Sequence, residues 1–391
     1  MAAPMTELEE ALTRDELLFY YQPKVSFLSG RVHGAEALVR WRRADGSVLR
    51  AADFMPGAIA QGFVSAITRH MFPKLLRDLR EIRQRVGMTR VAFNVSAEDL
   101  DQADLVSMVR EAISGEGLEA ECLEIEVTEG TAVSSDPAVA RSLTGLLAAG
   151  VHLSMDDYGV GFSSLETLNR LPFSALKMDQ GFILRMLRSP KSATLVRTSI
   201  AMAQLLGIRT VVEGIESAEV YQALLHYGCD EGQGYWISPP LPLQDYVTFL
   251  GEDRRWPCSP VGMLRMAQLT HTWQLKLLVD LIFAFLKQAG ETPPASHTHL
   301  PAALHMDHRE CALGHWYYGA GQRLHGDPDF DALEVPHQAL HNLCGEILRE
   351  LEGGGSAATI RSVLRDLSER SCQLGSTLQR LETRLLLSEL D

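Results

Sequence analysis

The segment LEIEVTEGTAVSSDPAVARSLTGLLAAGVHLSMDDY (residues 123–158) decides how the first part of the chain folds. It opens on a strand-like run, LEIEVTE (123–129), passes through a helical pattern, PAVARSLTGLLAA (137–149), and returns to a second strand-like run, HLSMDDY (152–158). That is one β-α-β unit. The same alternation extends in both directions. LLFYYQPKV (17–25), VHGAEALVRW (32–41) and RVAFNVS (90–96) precede the segment; ALKMDQ (175–180), TVVEGIE (210–216) and EGQGYW (231–236) follow it. Most intervals carry a helical pattern, for example ITRHMFPKLLRDLREIRQRV (67–86). Eight such strands over roughly 250 residues predict an α/β, TIM-like (β/α)8 barrel. The competing doubly wound open sheet lacks its usual signal here, a glycine-rich turn straight after the first strand.

Almost every expected strand ends in polar side chains: Gln22, Glu36, Asn94, Glu126 with Glu129, Asp156 with Asp157, Lys177 with Asp179, Glu213 with Glu216, and Gln233. Carboxylates are costly in buried strands unless partnered. In a barrel the strand ends converge on one face, where sites form. The set is rich in carboxylates, with neither histidine nor thiol, and hard oxygen donors select Mg²⁺ or Mn²⁺ over zinc or copper. The adjacent pair Asp156-Asp157 suits two ions, because neighbouring carboxylates do not both stay ionised without cations between them. A two-ion site fits in-line attack of water on a phosphodiester. Each residue also has an ordinary reading: a cap, a turn before Gly159, a solvated lysine. The recurrence at successive strands weighs against all of those together.

The chain has 391 residues and a net charge of -14, with 22% charged and 46% apolar residues, which bounds the rest. That length suggests two domains or three. The acidity argues against non-specific binding of nucleic acid or anionic membrane, yet permits a small phosphorylated ligand where cations invert the local charge. No membrane span is expected, since the most apolar stretch, LKLLVDLIFAFL (275–286), is short and contains Asp280. The N-terminus lacks signal-peptide features. Six scattered cysteines point to a reducing, cytoplasmic setting rather than a disulfide scaffold.

Composition changes near residue 250. GEDRRWPCSPVG (251–262) reads as a linker, and the remainder is almost wholly helical and histidine-rich. GETPPASHTH (290–299) reads as a loop and EGGGSAA (352–358) as a break between helices. The expected domains are therefore a barrel over 6–250, a linker over 251–262 and an all-α unit over 263–391. His337 and His341 stand at i, i+4 and share one helical face. With Cys311 and with His271 on an earlier helix they make a closed tetrahedral zinc set. His305 and His308 compete with His271 for the fourth place, and core histidines remain the plainer alternative. Cys344 and Cys372 read as core.

EALVRW (36–41), FNVS (93–96), EVTE (126–129), DDYGVGFSSL (156–165), LKMDQGF (176–182), VVEGIES (211–217) and GCDEGQGYWISPPLP (228–242), with YYQP (20–23), occur in that order. Together they closely resemble the EAL-domain cyclic di-GMP phosphodiesterases, across roughly residues 6–250. The resemblance implies a barrel binding two Mg²⁺ or Mn²⁺ ions that opens cyclic di-GMP to linear pGpG. It places Glu36, Asn94, Glu126 and Asp156 on the first ion and Asp156, Asp157 and Glu213 on the second. Glu36 thereby joins Lys177 and Glu213 as the catalytic group. Lys177 steers water or steadies developing charge, and Glu213 helps deprotonate the water. Arg40 contacts phosphate, Gln22, Leu38 and Gln233 shape the nucleotide pocket, and Glu129 braces the loop after Asp157. Tyr158, Val160 and Phe162 depart from the family's usual DDFGTGYSSL, and Val212 replaces its usual alanine. The Thr→Val change at 160 removes a hydroxyl and implies a looser Asp157.

ECALGHWYYGAG (310–321) followed by DFDALEVPHQALH (329–341) resembles the chemoreceptor zinc-binding domain, a four-helix bundle, over about 264–391. It implies one zinc ion on His271, Cys311, His337 and His341, with His315 in place of the usual lysine. Three functions follow: a cyclic di-GMP phosphodiesterase regulated by zinc; a receptor that holds the nucleotide without turnover; or an interaction protein with a structural zinc. A homodimer is expected.

Overall fold

The computed structural model describes residues 5–87, 89–101, 104–116, 119–132, 134, 136–159, 167–168, 171–288, 307–352 and 357–388. Two compact units emerge: Met1–Thr198 with Ile208–Ala223 and Cys229–Cys258, and Ser199–Gly207 with Leu224–Gly228 and Ser259–Asp391.

The first unit holds ten strands: β1 Leu17–Ser26, β2 Val32–Arg42, β3 Val48–Arg50, β4 Arg90–Asn94, β5 Leu123–Thr128, β6 His152–Tyr158, β7 Ala175–Met178, β8 Arg209–Val212, β9 Glu231–Gly232 and β10 Leu241–Pro242. All eight expected strands are present. They close as β1-β9-β8-β7-β6-β5-β4-β2, with β2 returning to β1. β3 and β10 extend the edges of β2 and β1 beyond the ring; both are too short to leave a sequence signal.

The ring is parallel except at β1, which is antiparallel to both β2 and β9. The connection over residues 27–31 is too short for a crossover, so β1 and β2 must form a hairpin. Gly30 makes that turn at φ 63°, and a Cβ there would lie 2.2 Å from the Trp256 carbonyl oxygen.

Helices cover the outside. Along Val64–Val86 the buried Ile67, Met71, Leu75, Leu79 and Ile82 recur at three- and four-residue intervals, giving one apolar face. Pro137–Ala148 starts at Asp136, whose side chain accepts the Ala138 N–H at 2.8 Å.

Inside the ring, charge takes the place of the aliphatic layers usual in (β/α)8 barrels. On β5, Leu123, Ile125 and Val127 are buried on one face, while Glu124 and Glu126, also buried, pair with Lys24, Lys177 and Arg209.

The second unit contains the helices Val261–Gln288, Ala312–Tyr318, Glu334–Glu352 and Ala357–Ser388. The last of these packs along both Val261–Gln288 and Glu334–Glu352. A helical unit is thus present as expected, although Ala312–Tyr318 is only seven residues long. The loop read at 290–299 lies outside the described residues. The break read at 352–358 separates Glu352 from Ala357, with 353–356 likewise outside. All six cysteines are free. Among the described residues, no helix is long and apolar enough to cross a membrane.

Candidate active site and candidate metal centre

Lys177 lies on β7 with its ammonium buried at the barrel mouth. Nζ stands 2.6 Å from Glu213 Oε1, 2.8 Å from Glu126 Oε2, 3.0 Å from Glu36 Oε2 and 3.5 Å from Asp156 Oδ1. Residues from β2, β5, β6 and the end of β8 therefore meet at one point. Two amides complete the ring. Asn94 Nδ2 donates to Glu36 Oε1 at 2.8 Å, and Gln233 Nε2 donates to Glu36 Oε2 at 2.7 Å and Glu213 Oε1 at 3.1 Å. Gly234 permits that bridge, because a Cβ there would meet the Ile215 backbone nitrogen at 2.2 Å.

Above the cluster opens a cavity of about 510 Å³ lined by Gln22, Leu38, Gln180, Glu216, Gln233 and Tyr235, among others. That volume falls within the usual range for small-molecule sites, roughly 300–1,000 Å³.

The electrostatics are unbalanced. Burial and then the neighbouring acids push Asp156 and Glu213 up to about 7, against the pull of Lys177. Burial also raises Glu36, but Lys177, Lys24 and the two amides outweigh it and hold Glu36 at about 2. Burial depresses Lys177, yet Glu126, Glu213, Glu36 and Asp156 reverse this and hold it well above its ordinary range. One ammonium does not neutralise four carboxylates, and the cluster is short of positive charge.

Several placements differ from the sequence expectation. Gln22 and Glu36 are register partners inside β1 and β2, not strand ends, because the β1–β2 ribbon continues past the mouth. Gln22 Nε2 donates to the Ser238 carbonyl at 3.3 Å. Arg40 is turned back, donating to the Val39 carbonyl at 2.9 Å with its guanidinium over the Tyr20 ring, and it does not line the cavity. Asp157 is exposed, at φ 59°, and its N–H donates to Asp156 Oδ1 at 2.9 Å. The β6–β7 register shifts between Met155 and Tyr158, and this irregularity sets the two aspartates at different angles. Asp179 caps the helix Gln180–Leu184. Glu129 is buried, with Oε2 lacking a hydrogen-bond partner among the described residues. The loop it was expected to brace, including Val160 and Phe162, lies outside the described residues.

Sequence reading missed Lys24, Glu124, Gln180 and Tyr235. The available signal was the two-residue alternation of Gln22 with Lys24 on β1 and of Glu124 with Glu126 on β5.

In the helical unit, the ligand atoms of His271, Cys311, His337 and His341 all lie within 4.8 Å of one another. Donors at zinc distances, about 2.0–2.3 Å, stand roughly 3.3–3.8 Å apart in a tetrahedron. His271 Nδ1 lies 2.7 Å from the Ala267 carbonyl oxygen, which fixes that nitrogen as the donor. Its Nε2 is buried and has no hydrogen-bond partner among the described residues. Cys311 Sγ is 3.2 Å from His337 Nε2 and accepts the Gly314 N–H at 3.3 Å. Burial lowers His271 to about 4; burial and the neighbouring imidazoles lower His337 to about 2. Both rings are therefore neutral, as metal ligation requires. His308 stands outside the set, its ring 6.1 Å from that of His337 and its Nδ1 3.3 Å from Asp307 Oδ1. His305 lies outside the described residues.

A closed eight-stranded barrel with a carboxylate ring and a polar cavity at one mouth defines the class of protein. The chain belongs to the EAL-domain family, whose profile, described as EAL domain, matches residues 5–240. A second profile, the chemoreceptor zinc-binding domain, matches residues 283–348. That span contains Cys311, His337 and His341 but not His271, which the fold supplies. The cyclic di-GMP phosphodiesterase NbdA of Pseudomonas aeruginosa is 38% identical over 265 residues, 67% of this chain and 34% of its own length. The cyclic di-GMP phosphodiesterase RocR of the same organism is 32% identical over 245 residues, 63% of this chain and 62% of its own. The chain thus spans about a third of the first relative and less than two thirds of the second. Among solved structures, the PaMucR phosphodiesterase in complex with c-di-GMP aligns with a TM-score of 0.59 and 34% identity, covering 62% of this chain and 98% of that one.

Proposed function

We propose that this chain is a metal-dependent phosphodiesterase that hydrolyses cyclic di-GMP to linear pGpG, regulated by zinc bound in the helical unit. The observation that carries the reading is the Lys177 ammonium within 3.5 Å of four carboxylates, beneath an open cavity. The family membership and the names of its relatives support the substrate. The proposed domains are 6–250 for the barrel and 263–391 for the zinc unit, joined by 251–262.

The donor set fits hard divalent cations. It is all oxygen apart from Lys177, and burial and then the neighbouring acids hold Asp156 and Glu213 at about 7 against the pull of Lys177. Glu36, Asn94, Glu126 and Asp156 would hold one Mg²⁺ or Mn²⁺ ion, and Asp156, Asp157 and Glu213 a second. When bound, such ions polarise the phosphodiester and lower the pKa of water. The chain's own groups do the rest. Glu213 accepts the proton of the attacking water. Lys177 places a fixed positive charge where negative charge grows on the phosphate. Gln233 ties Glu36 to Glu213 and keeps both aimed at the mouth. Gln22 and Leu38 shape the nucleotide pocket, Arg40 meets phosphate, and Glu129 braces the segment after Asp157.

The zinc set fits its ion equally well, through one sulfur and three imidazoles, of which His271 and His337 are held neutral and His271 presents a buried Nε2 with no hydrogen-bond partner among the described residues. Purified protein incubated with cyclic di-GMP and Mn²⁺ is expected to yield pGpG, read by chromatography against a Glu36→Ala control. Nucleotide recovered intact at the control rate, whether bound or free, would remove the hydrolase reading.

A further inference from the structure

The mouth cluster has a second lysine behind it. Lys24 sits two residues beyond Gln22 on β1, so it points to the same interior face but deeper in the barrel. Its side chain is 4% exposed, and Nζ lies 2.8 Å from Glu126 Oε1 and 3.5 Å from Glu124 Oε1. The other oxygen of Glu126, Oε2, faces Lys177 at 2.8 Å. One carboxylate is therefore gripped by two ammonium groups, one from each side. The two differ in position. Lys177 lines the open cavity. Lys24 does not, and borders a separate, much smaller pocket with His33, Arg90, Glu124, Arg209 and Glu231.

We propose that Lys24 is a positioning residue that holds Glu126 by Oε1 from beneath, so that Oε2 alone is presented to a divalent cation at the mouth. The proposal rests on reading that mouth as a cation site. A cation arriving from the cavity meets Lys177 but cannot reach Lys24, so the lower grip persists when the upper contact is exchanged. The lower grip is itself anchored. Glu124, the second partner of Lys24, receives Arg209 Nη2 at 2.6 Å, and Arg209 Nη1 reaches Glu231 Oε1 at 2.7 Å. Swinging Glu126 toward two-oxygen ligation would strip Lys24 of its closest partner inside the barrel. Separating a buried charge from its closest partner is strongly unfavourable, so the one-oxygen arrangement holds. Lys24 thereby spares the site the cost of ordering Glu126 when the ion binds.

The test titrates Mn²⁺ into the zinc-loaded full chain and reads free Mn²⁺ by electron paramagnetic resonance, with Glu36→Gln as the blank for the barrel. Lys24→Met is expected to weaken Mn²⁺ binding about 10- to 100-fold, the usual effect of losing a group that orients a ligand. Lys24→Arg, which keeps the charge and the donors, is expected to restore binding to within a few-fold. A lysine needed only for folding would lower the metal-free melting temperature and leave the dissociation constant of folded protein unchanged. Because Lys24→Met strands Glu124 beside Glu126, the double variant Lys24→Met/Glu124→Gln is measured alongside. It removes the lysine together with its second charge and carries the same expectation. Mn²⁺ binding within twofold of wild type in either folded variant overturns the proposal. Wild type that binds no more Mn²⁺ than Glu36→Gln instead sinks the cation reading, and this proposal with it.

Discussion

Divalent cation uptake at the barrel mouth should expel protons, and the number should fall as pH rises. Asp156 and Glu213 sit at about 7 in the metal-free protein, with side chains only 13% and 23% exposed. Their ordinary values lie near 4. A folded value above the unfolded one means that the stabilising contribution is complete below about pH 4. It is lost as pH climbs through about 7, where the folded protein must ionise both groups among like charges. Each group then costs on the order of 3 kcal/mol at pH 8, and the two overlap because both lean on Lys177. A cation that ligates both relieves that cost. At pH 7 each is about half protonated, so binding should release about one proton in total, approaching two at pH 6 and none above pH 8.5. Mn²⁺ affinity should climb correspondingly, by about tenfold per pH unit for each proton released. Calorimetric titration in two buffers of different ionisation enthalpy gives the count directly, on zinc-loaded protein with Glu36→Gln subtracted. Proton-free uptake at pH 6–7, or an affinity that is flat between pH 6 and 8, would refute the reasoning.

Lys177→Met should lower pGpG formation by about 10²–10³-fold while Mn²⁺ binding is retained or tightened, since the ammonium competes with cations but serves developing charge. Unimpaired turnover in that variant would contradict the role given to Lys177. Cys311→Ala should reduce bound zinc from one equivalent toward zero by elemental analysis and lower the melting temperature of the helical unit, because structural zinc contributes directly to folding. Full zinc content in the variant would exclude Cys311 as a ligand. If zinc regulates through the helical unit, its effect on turnover should vanish in His337→Ala; an effect of unchanged size there would locate its target in the barrel, where zinc competes with Mn²⁺.

Much of this was legible in the residues. Strand-like runs separated by helical ones gave the eight-membered ring, and polar groups recurring near their ends gave Glu36, Asn94, Glu126, Asp156, Lys177, Glu213 and Gln233. What escaped depended on register. The direction of β1 follows from the short connection over 27–31, and the opposition of Gln22 to Glu36 follows from that direction. Lys24 reads as an unremarkable strand residue until β1 is seen to run downward beside β2, which drops its ammonium onto the far oxygen of Glu126. His271 illustrates the same limit in the helical unit. It is distant in sequence from Cys311, and only the packing of helices brings its Nε2 into the set. Arg40 shows the reverse case, a motif residue whose guanidinium lies over Tyr20 and which is not among the residues lining the cavity.

The interior charge raises a question of order that the geometry answers. Four carboxylates in a barrel mouth would repel one another in any state that forms before a cation arrives. Lys177 removes most of that obstacle, because it reaches Glu36, Glu126, Asp156 and Glu213 from a single buried position. Burial and the neighbouring acids still push Asp156 and Glu213 up to about 7, while Lys177, Lys24 and the two amides overcome burial at Glu36. Glu126 is likewise raised by burial against the pull of both lysines, whereas Glu36 is better compensated because it also receives the amides of Asn94 and Gln233. The barrel is thus built to fold with an ammonium at its centre and to exchange part of that compensation for a stronger charge. Lys24, out of reach of the cavity, keeps Glu126 in place during the exchange. An ammonium too weak to satisfy the ring on its own is what leaves the ring able to bind.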